Sequence, residues 1–481
     1  MHVCKRLLKA GLLLAAGLAT LSGCTPGPAY VRPSVAVPTR YKESAPPQGW
    51  VAAQPSDAAD RGKWWKAFGD STLDELEARV DVGNQNIQKS VANLKQARAM
   101  IGVARSSYFP QVIAGTNANM DHTSKNVLGH SLAGRTVQDY SMGVAASWEP
   151  DLFDRIGHAV DAANANAQAS EADLASMRLS MHAELALDYV DLRQIDMEAG
   201  LLKQLVSNDA QAKNLVQTQF DGGIASESEL EQAETQLQAA KAQLIDLGEA
   251  RAQREHAVAV LMGVPPSNFS LPPVDKALPL PAIPVGFPST LLQRRPDIAA
   301  AERRVAAANA DVGEATSAFF PDLMISVTGG FEASHLAQLA TLPSRFWAIG
   351  PALVGTLFDG GRRQAQLSVA EAKRDAAAAD YRQTVLSAFQ EVEDNLASLH
   401  VLSDESVAQQ RAVDASSKAA GLAMVRYQDG ATDYLEVVTT QSVNLAQTRA
   451  LVELSRRRFA ADVGLIKALG GVWQVDGQRG G

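Results

Sequence analysis

Cysteine is almost absent from this chain, because only Cys4 and Cys24 occur among 481 residues and both lie near the N-terminus. The body of the chain therefore has no thiol for a disulfide or for a cysteine-based metal site. The eight histidines contain no HExxH pair, and the glycine-containing segment at 358–362 lacks the lysine and the spacing of a phosphate-binding loop. These absences predict a protein that is not an enzyme and that holds no cofactor or metal.

A basic surface and long apolar runs are missing as well. The net charge is -9 with a pI of about 5.5, and no basic cluster alternates with aromatic residues as nucleic-acid binding requires. Outside the N-terminus, no stretch reaches the ~18 uncharged apolar residues of a membrane-spanning helix. We therefore expect no nucleic-acid partner and no α-helical membrane domain, although 46% hydrophobic residues can supply a large core.

The N-terminus has the pattern of an export signal. Basic residues precede a short apolar run, and Leu-Ser-Gly then leads into Cys24, which resembles a bacterial lipobox. The resemblance implies a signal peptide over 1–23, cleavage before Cys24 and acylation of that residue. Thr25, rather than aspartate, follows the cysteine, which favours sorting to the outer membrane. An ordinary signal peptide with an incidental cysteine is the alternative.

The rest of the chain is a tandem repeat of one unit. The sequence LFDGGRR at 357–363 has a weaker copy, LFDR, at 152–155, and FFP at 319–321 likewise answers YFP at 108–110. Repetition at a fixed offset indicates that one structural unit occurs twice. The predicted domains are a proline-rich arm (24–73), a first repeat (74–263), a proline-rich linker (264–290), a second repeat (291–470) and a tail (471–481).

Each repeat contains two segments that alternate between apolar and polar residues, at about 111–121 and 140–150 and again at about 322–332 and 345–356. Strict alternation is the pattern of a strand with two different faces. The length of ~10 residues and the terminal aromatic residues suit strands that cross a bilayer in a barrel. A half-buried hairpin of a soluble protein remains the alternative for any one strand.

Very long helices follow the strands. After each strand pair, about 66 residues run without proline to a glycine-containing stop at 220–223 or 427–430. A shorter helix then returns, and in the first repeat it carries a coiled-coil seam. The predicted hairpins cover 155–262 and 360–469. A further helix, expected to run without a break from residue 71 or 72 to about Ser107, precedes the first strand.

Four strands form an open sheet, and open edges cannot face hydrocarbon because their amide groups would be unpaired. Barrels in bilayers have at least about eight strands. One copy is therefore insufficient, and this arithmetic admits two copies or three.

Several motifs together resemble the TolC-like outer-membrane factor family, in its NodT-type lipoprotein branch. They are WW at 64–65 with FGD at 68–70, RRPDI at 294–298, FFP at 319–321 and LFDGGR at 357–362. The resemblance covers nearly the whole chain after the signal. It implies a mixed α/β fold in which a homotrimer forms a 12-stranded β-barrel in the outer membrane, continued by an α-helical barrel in the periplasm.

The same resemblance implies an exit duct for drugs or other small toxic compounds. Its partners would be outer-membrane lipid, a periplasmic adaptor (membrane-fusion) protein and an inner-membrane pump of the resistance-nodulation-division (RND) type. A duct for type I protein secretion is the alternative within this fold. A structural lipoprotein that only braces the periplasm is the alternative outside it.

The resemblance also implies a periplasmic gate at the two hairpin tips. In the family, the second tip places an apolar residue and acidic residues at the narrowest point, which correspond here to Leu435 and Glu436. The next acidic position of the family falls on Thr439, so the acidic ring is reduced. Tyr427 matches a residue that latches the closed tip, and Glu229 is its expected partner. The alternative is that Tyr427 only ends its helix and that Glu229 is a solvated charge.

Overall fold

A computed structural model describes residues 26–38, 40–43, 63–126, 129, 131–274, 279 and 294–471. The predicted signal peptide, Cys24, and most of the predicted tail and linker lie outside these residues. Seven long helices of the described chain are α1 (Ser71–Gly83), α2 (Gln85–Ser106), α3 (Arg155–Asp221), α4 (Glu227–Leu261), α5 (Pro296–Ser317), α6 (Arg362–Gln428) and α7 (Tyr434–Ala468). Its four strands are β1 (Gln111–His122), β2 (Thr136–Trp148), β3 (Asp322–Ala333) and β4 (Arg345–Val354).

The chain folds as two compact units. Among the described residues, the sheet unit comprises those of Leu94–Ser170 and Ala301–Tyr381 with the arm up to Pro33, and the helical unit comprises those of Ser34–Asn93, Glu171–Ala300 and Arg382–Gly481. None of the helices in the described part of the chain has the length and apolar character needed to cross a bilayer.

The two repeats have the same order and nearly the same element lengths. In each, a helix of 22 residues leads into two strands, and helices of 67 and 35 residues follow. The long helices end where the glycines predict, since Gly223 and Gly430 have positive φ angles of 74° and 72°. Ser226 and Asp433 then cap the returning helices through their side-chain oxygens.

The helix expected from residue 71 to 107 is in fact two helices, so that prediction is wrong. Asn84 separates α1 from α2, and its side-chain oxygen accepts hydrogen bonds from the backbone N–H groups of Asn86 and Ile87 at 3.0 and 3.2 Å. Its amide nitrogen donates to the carbonyl of Leu261 at 2.8 Å. The break therefore combines a local cap with a contact to the end of α4, and only that contact lies beyond local sequence.

Arg295 occupies the equivalent position in the second repeat, 211 residues after Asn84. Its guanidinium donates to the carbonyl of Ala468 at 3.1 Å, the counterpart of Leu261 at the end of α7. Arg295 is also paired with Asp297 and Glu391, each at 2.6 Å. In each repeat, one polar side chain thus donates to the carbonyl of the last residue of the returning helix.

Aromatic residues of the WW motif form the core of the helical unit where α1, α3 and α7 meet. Trp64, Trp65 and Phe68 are buried in a short 3₁₀ helix. The Phe68 ring stacks on Phe459 at 4.5 Å between centroids, and the Trp65 ring stacks on His182 at 4.6 Å. The motif therefore holds α1 against both hairpins.

The four strands form one antiparallel sheet in the order β1-β2-β3-β4. Strands β2 and β3 belong to different repeats and pair directly, so the repeats join within the sheet. Within the described residues, the outer edges of β1 and β4 have no neighbouring strand.

Candidate functional site

The tips of the two helical hairpins meet in a small hydrophobic cluster of the helical unit. This tip cluster consists of the buried residues Ala212, Val216, Ala233, Ala423, Tyr427, Tyr434 and Val437. The rings of Tyr427 and Tyr434 pack edge to face with 5.4 Å between centroids. Helices α3, α4, α6 and α7 all contribute to it, so both hairpins share one core at this end.

Tyr427 joins the hairpins through a hydrogen bond as well as through packing. Its hydroxyl donates to the side-chain oxygen of Gln219 on α3 at 2.6 Å. The sequence resemblance predicts Glu229 as the partner, and that pairing is wrong. Glu229 instead closes a capping box with Ser226, because its carboxylate accepts from the Ser226 N–H at 2.7 Å and from the hydroxyl at 2.9 Å.

Glu229 nevertheless lies close enough to affect Tyr427. Burial is the larger cause that raises the pKa of the Tyr427 hydroxyl, and the negative charge of Glu229 is the second. Tyr427 therefore stays protonated as a donor, and the first tip influences it through Gln219 by a hydrogen bond and through Glu229 by charge.

At the tip cluster, the buried side chains of Asp209 and Tyr434 have polar atoms without a hydrogen-bond partner among the described residues. Asp209 is 0% exposed, and among the described residues neither of its carboxylate oxygens has a hydrogen-bond partner. Burial raises the pKa of Asp209 to about 6. Burial, followed by the charge of Asp209, raises the pKa of the Tyr434 hydroxyl to about 12. An ionised Asp209 is thus poorly accommodated in this core.

A cavity of about 710 Å³ borders the tip cluster between α3, α6 and α7. Its lining is neutral and mixes amides such as Gln204, Asn208 and Gln441 with leucine, alanine and methionine side chains. The hairpins therefore do not pack continuously beside the tip cluster.

Leu435, Glu436 and Thr439 lie on the first turns of α7. Leu435 and Thr439 are exposed and share one face of the helix, because positions four apart are neighbours. The Glu436 carboxylate accepts from Arg426 on α6 at 3.0 Å and also from the Thr432 hydroxyl. The Thr439 hydroxyl donates to the carbonyl of Leu435 at 2.8 Å. The exposed face formed by Leu435 and Thr439 is thus apolar and hydroxylic, and the neighbouring carboxylate of Glu436 is paired with Arg426.

The sheet unit has one face that is apolar on all four strands. The pairing register brings Val112 beside Ala146, Ala146 beside Val327, and Val327 beside Ile349. Paired residues of an antiparallel sheet point to the same side. Residues of this face that are largely exposed are Val112, Met120, Met142, Val144, Trp148, Val327, Trp347, Ile349 and Leu353. The opposite face carries mainly small and polar residues, as in the paired row Gln111, Ser147, Ser326 and Gly350, together with a few larger apolar ones such as Ile113 and Phe346.

A model of the outer membrane efflux protein family matches residues 79–264 and 287–471. The chain belongs to this family. The motif resemblance found in the sequence is therefore confirmed, and so is localisation in the outer membrane.

Individual relatives match over nearly the whole chain. The pyoverdine export outer membrane protein OpmQ of Pseudomonas aeruginosa is 31% identical over 97% of this chain and 98% of its own length. The cation efflux system protein CusC of Escherichia coli is 29% identical over 94% of this chain and 97% of its own. The solved outer-membrane channel OprN has a TM-score of 0.84 at 31% identity, covering 94% of this chain and all of that one. The mixed fold expected from the sequence is that of these channels.

Sequence reasoning missed three functional candidates in this family member: Asp209, Gln219 and Arg426. Asp209 had a usable signal in the sequence, because it lies seven residues from both Leu202 and Val216. The structure buries all three residues completely. A charged residue in such a row is unusual. Gln219 and Arg426 had none, since their roles depend on how the two hairpins are aligned.

Proposed function

We propose that this protein is the outer-membrane exit duct of a tripartite RND-type efflux system. It conducts drugs or other small toxic compounds passively from the periplasm to the outside. The observation that carries this proposal is the open four-stranded sheet, whose one face is apolar on every strand. A face of this kind is suited to lipid, with small and polar side chains turned towards a lumen.

The functional form that we propose is a homotrimer. Each chain supplies four strands and two free edges, and unpaired backbone groups in hydrocarbon cost several kcal/mol each. Association edge to edge would remove both free edges, and three copies would give a 12-stranded barrel. Native mass spectrometry of the purified protein in detergent distinguishes three copies from the two that strand number alone permits.

The relatives support small molecules as cargo. Their names specify pyoverdine export, cation efflux and toluene efflux. We infer that an adaptor protein and an inner-membrane pump select the compound, while this chain supplies the outer section of the route.

The hairpin tips form the periplasmic gate in this proposal. The packed tip cluster and the bond from Tyr427 to Gln219 support a tip that can be held closed. Leu435, Glu436 and Thr439 are the residues that would border the aperture, and Glu229 acts on the latch through its capping box and its charge.

A lipid on Cys24 is the second membrane attachment that we propose. Cys24 lies outside the described residues, but the described arm begins two positions later and is fixed to the sheet unit. His158, three residues into α3, donates to the carbonyl of Pro26 at 3.0 Å, and Asn309 donates to the carbonyl of Pro28 at 2.9 Å. Intact-mass analysis tests the acylation, and an unmodified Cys24 in the mature protein would disprove it.

Single-channel recording in planar bilayers tests the duct itself. We expect discrete conductance steps from the purified oligomer, whereas a protein that only braces the periplasm gives none. A strain that lacks this protein should accumulate small toxic compounds. If it instead retained a secreted protein and exported small compounds normally, the type I secretion function would be favoured.

A further inference from the structure

One contact inside the chain joins its two repeats at the base of the sheet. Phe153 follows β2 and Phe320 precedes β3, and their rings are stacked with 4.7 Å between centroids and 21° between planes. The hydroxyl of Ser317 donates to the carbonyl of Phe153 at 2.8 Å. The stack and this hydrogen bond accompany the pairing of β2 with β3.

The other ends of the repeats carry the same three residues without this contact. Phe358 follows β4 at the position equivalent to Phe153, while Ser106 and Phe109 precede β1 at the positions equivalent to Ser317 and Phe320. Phe358 is 88% exposed, its neighbour Leu357 is 100% exposed and Phe109 is 71% exposed. Among the described residues, the Ser106 hydroxyl makes one hydrogen bond, the helical one to the carbonyl of Val103 at 2.6 Å. Its counterpart Ser317 makes such a bond, to Gly313, in addition to the one that reaches Phe153.

Within one chain these residues cannot meet, because β1 and β4 lie at opposite edges of the sheet. Both edges are also free of pairing in the described chain. A second copy placed with its β1 against β4 would complete the pattern, and such a head-to-tail contact closes into a ring when it is repeated.

We propose that Phe358 of one copy stacks on Phe109 of the next, while Ser106 of that next copy donates to the carbonyl of Phe358. The interface between copies then repeats the junction between β2 and β3. This inference rests on the proposed oligomeric duct and assigns the residues that join its subunits. It also gives a reason for the exposed Leu357 and Phe358, since an apolar pair at full exposure is expected at an interaction surface.

Cysteine crosslinking in intact membranes tests the contact. The variant with Phe109→Cys and Phe358→Cys, oxidised with copper phenanthroline, should give covalent dimers and trimers on a denaturing gel, and a thiol reductant should remove them. Phe109→Cys alone and Phe358→Cys alone should give none. A matched control pair is Phe109→Cys with Leu342→Cys, because Leu342 is exposed but lies at the other end of β4, about 33 Å along the strand.

If the double-cysteine variant fails to assemble, a second measurement tests the same contact. Phe109→Ala and Phe358→Ala each remove the same stack, so the double variant should lower the dissociation temperature of the oligomer by less than the sum of the single effects. An intact oligomer that neither crosslinks nor shows this coupling overturns the proposed contact and leaves the duct in place. A wild-type chain that is monomeric in membranes would instead overturn the oligomeric duct.

Discussion

Tyr427 and Gln219 connect the two helical hairpins across 208 residues of sequence, through a hydrogen bond of 2.6 Å. The bond lies beside the ring contact between Tyr427 and Tyr434. It joins the last turns of α3 and α6, which are equivalent helices of the two repeats. A closed tip that depends on this bond should loosen when the bond is removed.

Tyr427→Phe should therefore raise the resting conductance of the duct and the uptake of large antibiotics by cells. The ring contact persists, so the expected loss is that of one hydrogen bond, about 0.5 to 1.5 kcal/mol per chain. Tyr434→Phe is the matched control, because among the described residues the buried Tyr434 hydroxyl has no hydrogen-bond partner. Equal behaviour of the two variants in single-channel recordings would show that the bond does not hold the tip.

Asp209 should make the stability of the helical unit depend on pH. Burial raises its pKa to about 6, above the ~3.9 of an unfolded chain. The folded protein then binds this proton more tightly than the unfolded chain does. The resulting stabilisation is fully present below about pH 4 and is lost as pH rises through about 6.

Asp209→Asn should accordingly raise the free energy of unfolding at pH 7.5 by roughly 1 to 3 kcal/mol and change it little at pH 4. Thermal unfolding of the purified protein at the two pH values measures this difference. Asp246→Asn on the exposed side of α4 is the control and should show no such dependence. A variant that is destabilised at pH 7.5 would contradict the prediction.

The parts of the fold that the sequence predicts correctly are those that have a signal in the local sequence. Alternation along each strand identified the apolar face, which the register then confirmed from Val112 to Ile349. Glycines at 223 and 430 marked the helix ends because their positive φ angles are a property of the local backbone. Strand β2 begins at Thr136, earlier than expected, because its first residues pair with the end of β1.

Long-range partners account for what could not be predicted. The break at Asn84 has a local signal in Gly83 and the capping Asn84, but the contact with Leu261, 177 positions away, has none. The partner of Tyr427 depends on the alignment of two hairpins, and the acceptor is the side chain of Gln219, whereas Glu229 closes its own capping box. No periodicity within one helix contains this information.

Charge on the apolar face of the sheet should prevent assembly in the membrane. Val144→Arg places a cation beside Ala114 and Gly329, at a cost of about 2 to 4 kcal/mol near mid-bilayer. Ser147→Arg, on the opposite face of the same strand, should be tolerated. The fraction of each variant that resists denaturation by detergent without heating measures the difference, and equal tolerance would show that these are not barrel strands.

Loss of the Asn84 side chain should destabilise the junction between α1, α2 and α4. Asn84→Ala removes the cap of α2 and leaves the carbonyl of Leu261 without its donor, for an expected cost of about 1 to 3 kcal/mol. Asn84→Ser keeps a capping oxygen, adds no charge at this buried position and loses the bond to Leu261, so it should cost less than alanine. Chemical denaturation of the three proteins gives the order, and an alanine variant as stable as wild type would exclude this role.

The pair formed by Arg426 and Glu436 should set the ion selectivity of the proposed gate. Of the three residues proposed to border the aperture only Glu436 is acidic, and Arg426 lies 3.0 Å from its carboxylate, so wild-type protein should discriminate weakly between cations and anions. Arg426→Gln leaves the carboxylate unpaired and should shift the reversal potential in a potassium chloride gradient towards cation selectivity. Glu436→Gln should shift it the other way, because the guanidinium then remains.

Both side chains are more than a third exposed, so salt should screen these shifts, which are expected to be larger at 0.1 M than at 1 M ionic strength. Arg411→Gln, on the same helix but further from its tip, is the charge-matched control. If Arg411→Gln shifts the reversal potential as much as Arg426→Gln does, net charge rather than the paired site controls ion passage, and the narrowest point lies elsewhere along the duct.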